Sequence, residues 1–484
     1  MIIKRNQEKR KNSKRLLRMI KKQVQGITLI ALVVTVIVLL ILAGVALNLT
    51  VGDNGLFKRA QNATDTWQEA SEREAIELAV AGMQIGSMQE TGMTKTELEN
   101  SLKEQFGDEA SVEDNEDGSF LVTIGENQYY LGEDGEIIDS SNMVKISTAE
   151  ELKAFRDDVN SGNTYEGKYV YLANDITLDI NEEWEPIGYY SQDTESIRKV
   201  LENEKNKPFS GIFDGHGHTI NNMHINTSNI VQGLFGLVIN GEIKSINIAE
   251  SCSINTGGNS GSVVGYMYNT GKISGCKNYA NLNQVNGGIV GNIAGSITVS
   301  DCINYGDIQN GSGGIVGGSN GTDWKEFANV QHTIINCGNY GNIKKASSNY
   351  LGGIEGSFKG DILNCFNKAD VTMNSSNPIV GGIAGSATGL VCNCYSIGNV
   401  SSQSYSVGGI CGQGAIKISN CYSIGTITGT FWTGDILGYT QGTTVINNCY
   451  SQNDVFTYLN LGDAYVEDTE NINQGYPILK WQKN

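Results

Sequence analysis

A repeated cysteine is the feature that most restricts how this chain can fold. Each repeat unit opens with a Gly-Gly-apolar-apolar-Gly run, as at 287–291 and 313–317, and closes with Cys-x-(Asn/Ser)-x-(Gly/Ala)-x-apolar. Five of the six intervals between successive closing cysteines are 26, 28, 29, 27 and 28 residues. A unit this short cannot bury its own apolar face, so successive units must stack. Seven of the ten cysteines share this position: Cys276, Cys302, Cys337, Cys365, Cys394, Cys421 and Cys449.

The composition of the unit favours strands over helices. Its apolar segments are short and β-branched, with glycine and asparagine between them, and no 3.6-residue periodicity runs through them. Three short strands and three turns use about this many residues, and about eight to ten coils stacked at ~4.8 Å give a rod of roughly 40–50 Å. We therefore predict a mainly β chain built on a parallel β-solenoid. Strand twist and crossover handedness favour a right-handed winding.

Stacked coils place like residues on like. An asparagine column at one corner predicts a chain of amide hydrogen bonds that satisfies the backbone there. Its members are Asn278, Asn304, Asn339 and Asn367, continued by Ser396, Ser423 and Ser451. A glycine two residues later, at 306, 341, 398 and 425, is predicted to supply unusual backbone angles.

The cysteine column has two interpretations. An exported protein invites disulfides. Yet identical positions in successive coils keep the strand spacing, whereas a disulfide requires closer Cβ atoms. We therefore expect buried thiols packed as core residues.

An aromatic stripe accompanies the cysteines, one or three residues after them. If the chain stays extended, both offsets place the rings on the side opposite to the cysteines. Such a row is a candidate surface for stacking on sugar rings, and the alternative is that the rings stack on one another and stiffen the rod. Its members are Tyr279, Tyr305, Tyr340, Phe366, Tyr395, Tyr422 and Tyr450.

The repeats occupy 233–455, and they closely resemble GLUG repeats of bacterial surface proteins. The preceding part, 145–232, resembles the opening of such domains through a helix, the element Trp184-Glu185-Pro186-Ile187-Gly188 and the run 209–220. A capping box, Ser147-x-x-Glu150, is predicted to start the helix. Residues 456–484 are expected to form a C-terminal cap.

The N-terminus predicts how the chain is placed in the cell. No charged side chain occurs from Ile27 to Leu47, a length that can cross a bilayer as one helix. Residues 1–26 contain ten Lys/Arg and one Glu, and the remainder of the chain contains 24 basic against 51 acidic side chains. A basic flank stays in the cytoplasm, so we predict a single-pass membrane protein with an extracellular, acidic C-terminal part. This acidity argues against nucleic-acid binding.

The start of this apolar run resembles the leader junction of prepilins, the precursors of type IV pilins and pseudopilins. The resemblance rests on Lys21-Lys22-Gln23-Val24-Gln25-Gly26 followed by Ile27-Thr28-Leu29-Ile30-Ala31-Leu32. It implies a basic leader over 1–26, cleavage by prepilin peptidase between Gly26 and Ile27, methylation of Ile27, and an assembly helix over 27–50. It also implies pilus-type assembly machinery, and other pilins, as partners. A plain signal anchor remains the alternative.

One residue departs from the prepilin pattern. The family usually has a glutamate, which pairs with a neighbouring subunit's N-terminal amine, where this chain has Ala31. The departure indicates a minor or tip subunit, or a protein that only uses the export pathway. Residues 51–140 are predicted to form an α+β stalk, with a second helix at 95–106 and strands at 119–125 and 128–131.

Motifs for metal binding and catalysis are sparse. His216 and His218 form an i, i+2 pair, but turn or capping roles fit them better than metal binding, and no cofactor is expected. Carboxylates are scattered through the repeats, and no nucleophile motif has a histidine partner. The chain is therefore expected not to be an enzyme. We expect a bacterial surface protein or pilus-tip adhesin for a glycan or host ligand, with a polysaccharide-processing β-helix enzyme or a plain surface spacer as alternatives.

Overall fold

A computed structural model describes residues 56–86, 94–114, 119–132, 137–192, 203–319, 332–345, 350–374, 378–403, 405–452 and 456–483, with isolated residues 14, 135 and 454. The cleavage junction at Gly26 and Ile27, the helix predicted over 27–50 and Ala31 lie outside these residues. Within the described ranges, no helix has both the length and the apolar composition that a membrane crossing requires.

The chain divides into two units. In the described part of the first unit, helix α1 spans Leu56–Gly86 and helix α2 spans Lys95–Phe106. A 3-10 turn at Gly107–Glu109 leads to strands Ala110–Asp114 and Phe120–Ile124. Thr94 caps α2, since its side chain accepts a hydrogen bond from the backbone N–H of Glu97.

The second unit begins with a hairpin and a helix. Strand Asn127–Leu131 pairs antiparallel with Ile137–Asp139 from Tyr129 onward, and the 3-10 turn Ser140–Asn142 follows. Helix α3 spans Ala149–Ser161 and buries Leu152, Phe155 and Val159 against the first coils. The predicted capping box is displaced by one residue, because Thr148 accepts from the N–H of Glu151 and that carboxylate accepts from the N–H of Ser147.

Up to the C-terminal segment described below, the rest of the second unit is a parallel β-solenoid of about ten turns, as predicted. In the described residues its first face is a fourteen-stranded sheet. These strands are Met143–Ile146, Tyr169–Leu172, Ile212–Asp214, Phe235–Ile239, Glu242–Lys244, Val264–Ser274, Val290–Ser300, Val316–Ser319, His332–Ile335, Glu355–Leu363, Ala384–Cys392, Cys411–Ser419, Leu437–Thr440 and Val445–Asn447.

Shorter strands form the remaining faces of the described coils. The second sheet contains Ile176–Thr177, Thr219–Asn221, Asn247–Ile248, Lys277–Asn278, Ile303–Asn304, Gly338–Asn339, Phe366–Asn367, Tyr395–Ser396, Tyr422–Ser423 and Tyr450–Ser451. The third sheet contains His224–Asn226, Ser253–Asn255, Leu282–Asn283, Ile308–Gln309, Ile343–Lys345, Val371–Met373, Val400–Ser402 and Ile427–Thr428. A fourth, short sheet contains Tyr350–Gly352, Ile379–Gly381, Ser406–Gly408 and Thr433–Gly434.

A C-terminal segment follows the last coil. It contains helix α4, Tyr458–Leu461, an antiparallel pair of strands, Tyr465–Val466 and Ile478–Leu479, and a 3-10 turn at Lys480–Lys483. Leu461, Tyr465 and Leu479 are buried against rings of the second sheet. The solenoid is therefore covered on one face by a segment that does not share its repeat.

The solenoid core consists of apolar columns that run from coil to coil. Ile243, Ile273, Val299, Ile334 and Ile362 follow one another in register, and each is fully buried. The cysteine column lies beside them with free thiols, as expected, and six of its seven members are fully buried. Their Sγ atoms donate to nearby carbonyls, and burial raises the pKa of Cys276, Cys337 and Cys394, so these thiols stay protonated.

The asparagine ladder forms as predicted from Asn278 to Asn367, but its hydrogen bonds end at Ser396, because Oγ of Ser423 has no partner among the described residues. The Nδ2 of Asn278 donates to Oδ1 of Asn304, which donates to Asn339, which donates to Asn367, each at 2.8 Å. Asn367 continues the chain to the hydroxyl of Ser396 at 3.4 Å. The four amides are fully buried, so the ladder fixes the corner beneath the second sheet.

The sequence suggested unusual backbone angles as the reason for the glycine column, and this explanation is wrong. The column's glycines do not have positive φ, whereas residues that directly precede the cysteines, such as Asn364 and Asn393, do. Glycine is required because the coils approach closely. A Cβ on Gly341 would lie 1.8 Å from the carbonyl oxygen of Gly306.

Candidate functional surface

The aromatic stripe is two columns, not one. Phe366 is in register with Gly338, and Tyr395 and Tyr422 follow Phe366. Tyr279, Tyr305 and Tyr340 lie two residues further along their coils, where the later coils have Lys368, Ile397 and Ile424. The two columns differ in what covers them.

The later column is buried by the C-terminal segment. Phe366, Tyr395 and Tyr422 are at most 1% exposed, and Tyr450 is half-buried. The hydroxyl of Tyr422 bonds to the carbonyl of Pro477 and accepts from Nδ2 of Asn473 at 2.7 Å. Burial raises the pKa of Tyr395 and Tyr422 well above the usual range. These four residues, which the sequence placed in a surface stripe, instead belong to the core between the solenoid and its C-terminal segment.

The earlier column faces solvent. Tyr279, Tyr305 and Tyr340 are 39–40% exposed. Their rings stack at 4.8 and 5.1 Å between centroids, with interplanar angles of 5° and 9°. We call these three residues the tyrosine ladder. The buried ladder of Asn278, Asn304 and Asn339 lies one residue earlier in each coil and holds the strands in place.

Stacking limits what the tyrosine ladder can bind. The ring of Tyr305 has a tyrosine on each face, and the far side of Tyr340 meets the ring of Phe366 at 78°. The preceding coil has only Ala249 beside Tyr279, so Tyr279 has no ring neighbour on that side among the described residues. The ladder therefore offers one end face and a row of ring edges and hydroxyls about one coil apart.

A lysine closes the other end of the ladder. The ammonium of Lys368 lies 5.4 Å from the ring centroid of Tyr340 and 5.5 Å from that of Phe366. It also donates to the carbonyl of Ile472 in the C-terminal segment at 2.8 Å. Lys368 therefore marks the boundary between the exposed and the covered column.

A buried carboxylate cluster lies in the first coils, and the sequence did not indicate it. Asp214 is fully buried, and its Oδ2 accepts from the hydroxyl of Tyr169 at 2.7 Å and lies 3.2 Å from the ammonium of Lys244. Its Oδ1 accepts from the N–H of His216 at 2.8 Å. Burial raises the pKa of Asp214. Both oxygens are bonded, so the cluster is typical of a satisfied structural network.

The two histidines of the i, i+2 pair have separate partners. Nε2 of His216 lies 2.8 Å from the hydroxyl of Tyr169, and Nδ1 of His218 lies 3.2 Å from Oδ1 of Asp175. In the part of the chain that the structure describes, no three His, Cys, Asp or Glu side chains are placed to hold a metal ion.

A second buried pair interrupts the middle of the core. Glu355 is fully buried in register with Val316 and Ala384, and its Oε2 lies 3.4 Å from Nε2 of the buried His332. Its Oε1 has no hydrogen-bond partner among the residues that the structure describes. The sequence does indicate this buried carboxylate, because in the run Gly-Gly-Ile-Glu-Gly at 352–356 a glutamate stands at the fourth position, which is apolar in the other repeats cited above. The sequence alone shows Glu355 only as one of the scattered carboxylates.

One surface cavity of about 320 Å³ lies beside the Trp184–Pro186 element. The indole of Trp184 is buried, and its Nε1 donates to the carbonyl of Leu234 at 3.1 Å. Glu183, Glu185 and the half-exposed Tyr189 face solvent at the cavity. It therefore offers acceptors and one aromatic ring to a polar ligand.

Comparison with known proteins gives a partial structural similarity to solved structures. No family model and no curated protein matches the chain. A solved structure of a proposed immunoglobulin A1 protease from Bacteroides ovatus is 18% identical with a TM-score of 0.42, covering 71% of this chain and 93% of that one. A structure named IgA1 protease is 13% identical with a TM-score of 0.35, covering 71% of this chain and 25% of that one.

These names correct one expectation. The sequence predicted that the chain is not an enzyme, because no catalytic motif could be recognised. The two solved structures described above are named as proteases, one of them as a proposed one, and these names contradict that prediction. A scaffold of stacked β-coils by itself decides neither for nor against catalysis.

Proposed function

We propose that this chain is a bacterial cell-surface protein whose β-solenoid, built of GLUG-type repeats, serves in adhesion. The observation that carries adhesion is the tyrosine ladder, in which Tyr279, Tyr305 and Tyr340 stay 39–40% exposed on a corner held by buried amides. Exposed aromatic rings on a preorganised surface can bind a ligand without the entropy cost of ordering that surface.

The ligand class that suits this surface is a glycan, at the cell surface or on a host. One sugar ring can stack on the open side of Tyr279, since no ring covers it there. Further hydroxyls of the same chain can hydrogen-bond to the phenols of Tyr305 and Tyr340, which repeat along the solenoid axis. A polymer lying along that axis would use the whole ladder.

Export through a prepilin-like N-terminus completes the proposal. The Gly26–Ile27 junction, the uncharged run to Leu47 and the basic leader support cleavage by prepilin peptidase and membrane anchoring through 27–47. The C-terminal part would then lie outside the cell, either at the membrane or in a pilus. Ala31 favours a minor or tip subunit, because an alanine cannot supply the carboxylate that pairs with the N-terminal amine of a neighbouring subunit.

A second candidate is a plain surface spacer. The stacking within the tyrosine ladder supports it, because rings that cover one another stiffen a rod without needing a ligand.

A glycan array with the full chain in detergent micelles separates the two candidates. We expect binding of a glycan that is lost when Tyr279, Tyr305 and Tyr340 are all replaced by alanine. The control is Tyr405→Ala, which removes a 37% exposed tyrosine elsewhere. No binding to any glycan, or binding that the triple variant retains, would reject adhesion through the ladder.

Mass spectrometry of the protein isolated from its own cells tests export. A mature chain that begins with a methylated Ile27 is expected, and an intact Met1 would exclude the prepilin-like pathway. This result is independent of the glycan array, so each part of the proposal can fail alone.

A further inference from the structure

The last coil of the solenoid leaves its core exposed. Ile446 continues the column of Ile418 and Val391, which are fully buried, but Ile446 is 48% exposed because no described coil follows it. The same end carries Phe431 at 65% exposure and Trp432 at 44%. We call the described residues 427–447 the terminal surface.

The terminal surface carries almost no charge. Asp435 is the only charged side chain in 427–452, although the whole chain has a net charge of −18. Val445, which is 49% exposed, stands where the preceding coil has Lys417. Proteins commonly protect an exposed sheet edge with charged residues, above all lysine. Here the exposed Asp435 is the only such residue at the described end of the sheets, and no lysine is present there.

Edge strands make this surface self-complementary. In the described residues, Ile427–Thr428, Thr433–Gly434 and Leu437–Thr440 each pair with the preceding coil and are last in their sheets. The C-terminal segment leaves them uncovered, because it packs on the second sheet, where Tyr465 donates to the carbonyl of Asn420 at 3.0 Å.

The opposite end of the solenoid is closed. Helix α3 packs Leu152, Phe155 and Val159 into the start of the core. A head-to-tail stack of identical solenoids would have to displace this helix, whereas two terminal surfaces can meet directly.

We propose that two copies of this chain associate end to end through their terminal surfaces, related by a two-fold axis. The axis would place edge strands of the two copies antiparallel, so that their backbone groups pair and the two exposed core ends cover each other. Two copies of an acidic chain repel each other elsewhere, and this repulsion is weakest at the terminal surface, whose one charged side chain is Asp435. The proposal does not depend on glycan binding or on the export route.

Sedimentation velocity of the full chain in detergent micelles, over a range of protein concentrations, tests this association. We expect a dimer whose dissociation constant rises at least tenfold in the double variant Thr428→Glu, Thr440→Glu. Both threonines are exposed on edge strands, so the variant adds like charges without removing core contacts. The matched control is Ser296→Glu, on an exposed position of a middle coil, which should leave the constant unchanged.

Hydrogen exchange of the same samples locates the contact. Amides of 437–440 and 445–447 should become more protected as the wild-type chain dimerises, and should not do so in the double variant. A monomer at every concentration, a dimer that the double variant leaves intact, or protection confined to other segments would each overturn the proposal. If the chain instead binds a different protein at this end, the wild type will sediment as a monomer.

Discussion

Oε2 of Glu355 lies 3.4 Å from Nε2 of His332 inside the solenoid, at a level where the neighbouring coils have Val316 and Ala384. The carboxyl group has replaced an apolar residue in the core, and only one of its oxygens has a partner among the described residues. Such a group lowers the stability of the folded protein at every pH at which the carboxyl group would be ionised in the unfolded chain.

Replacement of Glu355 by glutamine should make the free energy of unfolding less dependent on pH. Burial raises the pKa of Glu355, so the folded protein retains a proton that the unfolded chain loses above about 4.5. The free energy of unfolding of the wild type should therefore fall as pH rises from about 4.5 to the pKa of Glu355 in the folded protein. Over this pH range, Glu355→Gln should become more stable than the wild type by about 1 kcal/mol. Urea unfolding at several pH values measures the difference. Asp361→Asn, a change in the same strand, should show no such trend, and equal trends in the two variants would contradict the assignment.

A buried lysine supplies a second pH-dependent prediction. Burial lowers the pKa of Lys345 from 10.5 to about 8, and its ammonium bonds to the hydroxyl of Ser312. The next two coils have Met373 and Ser402 in register. Between pH 8 and 10.5 the unfolded chain binds more protons, so wild-type stability should rise with pH there.

Lys345→Met should therefore be more stable than wild type by about 3 kcal/mol at pH 7, with a gain that shrinks between pH 8 and 10.5. Thermal and urea unfolding across this range provide the measurement. Lys344→Met, which replaces the exposed neighbour, serves as the control. If Lys345→Met were less stable than the wild type, the contacts of the ammonium would stabilise the fold by more than its burial destabilises it.

The asparagine ladder should tolerate serine better than alanine. Asn339 accepts from Asn304, donates to Asn367 and also donates to the carbonyl of Gly341 at 3.0 Å. Asn339→Ala leaves these buried groups without partners and should cost about 2–4 kcal/mol. Asn339→Ser should cost less, because serine occupies this column in later coils. Urea unfolding compares them, and equal losses would mean that packing, not hydrogen bonding, holds the corner.

Close approach, rather than backbone angle, should decide the effect of substitutions at the glycine column. Gly341→Ala would place a Cβ 1.8 Å from the oxygen of Gly306, so the coils must separate and we expect a loss of about 3 kcal/mol. Gly82→Ala, in helix α1 with nothing within 4 Å, should instead stabilise by about 1 kcal/mol. The same unfolding assay measures both, and a mild Gly341→Ala would argue against the close contact.

Substitutions in the buried aromatic column should destabilise the protein more than substitutions in the exposed column. Tyr395→Ala removes a fully buried ring that stacks at 5.0 Å on Tyr422, and should cost about 3–5 kcal/mol. Tyr305→Ala removes a ring that is 39% exposed and should cost about 1 kcal/mol. Thermal unfolding of both variants is the measurement, and similar losses would contradict the covered position of Tyr395.

The repeat specified most of the architecture without any structure. Its spacing of 26–29 residues fixes the length of a coil, and stacked coils then fix which residues share a column. The amide chain from Asn278 to Asn367 and the free, buried thiols such as Cys302 follow from that register. These features were predicted because each depends only on the same residue in the next coil.

The surface was harder to predict, because it depends on parts of the chain that do not repeat. Residues 456–483 share no period with the coils, so nothing in the pattern showed that they would cover Phe366, Tyr395 and Tyr422 and leave Tyr279, Tyr305 and Tyr340 in solvent. The reason for the glycine at 341 was also missed, since a contact with a carbonyl one coil away is a matter of distance, not of local propensity.

The sequence alone determined that this chain stacks short parallel strands into a solenoid, because the repeat leaves no other way to bury its apolar residues. Only the tertiary structure decided which columns face water, which carboxyl and ammonium groups are buried, and which end of the solenoid stays open. Burial is a property of what packs on a surface: the C-terminal segment covers Tyr422, whereas no described coil covers Ile446.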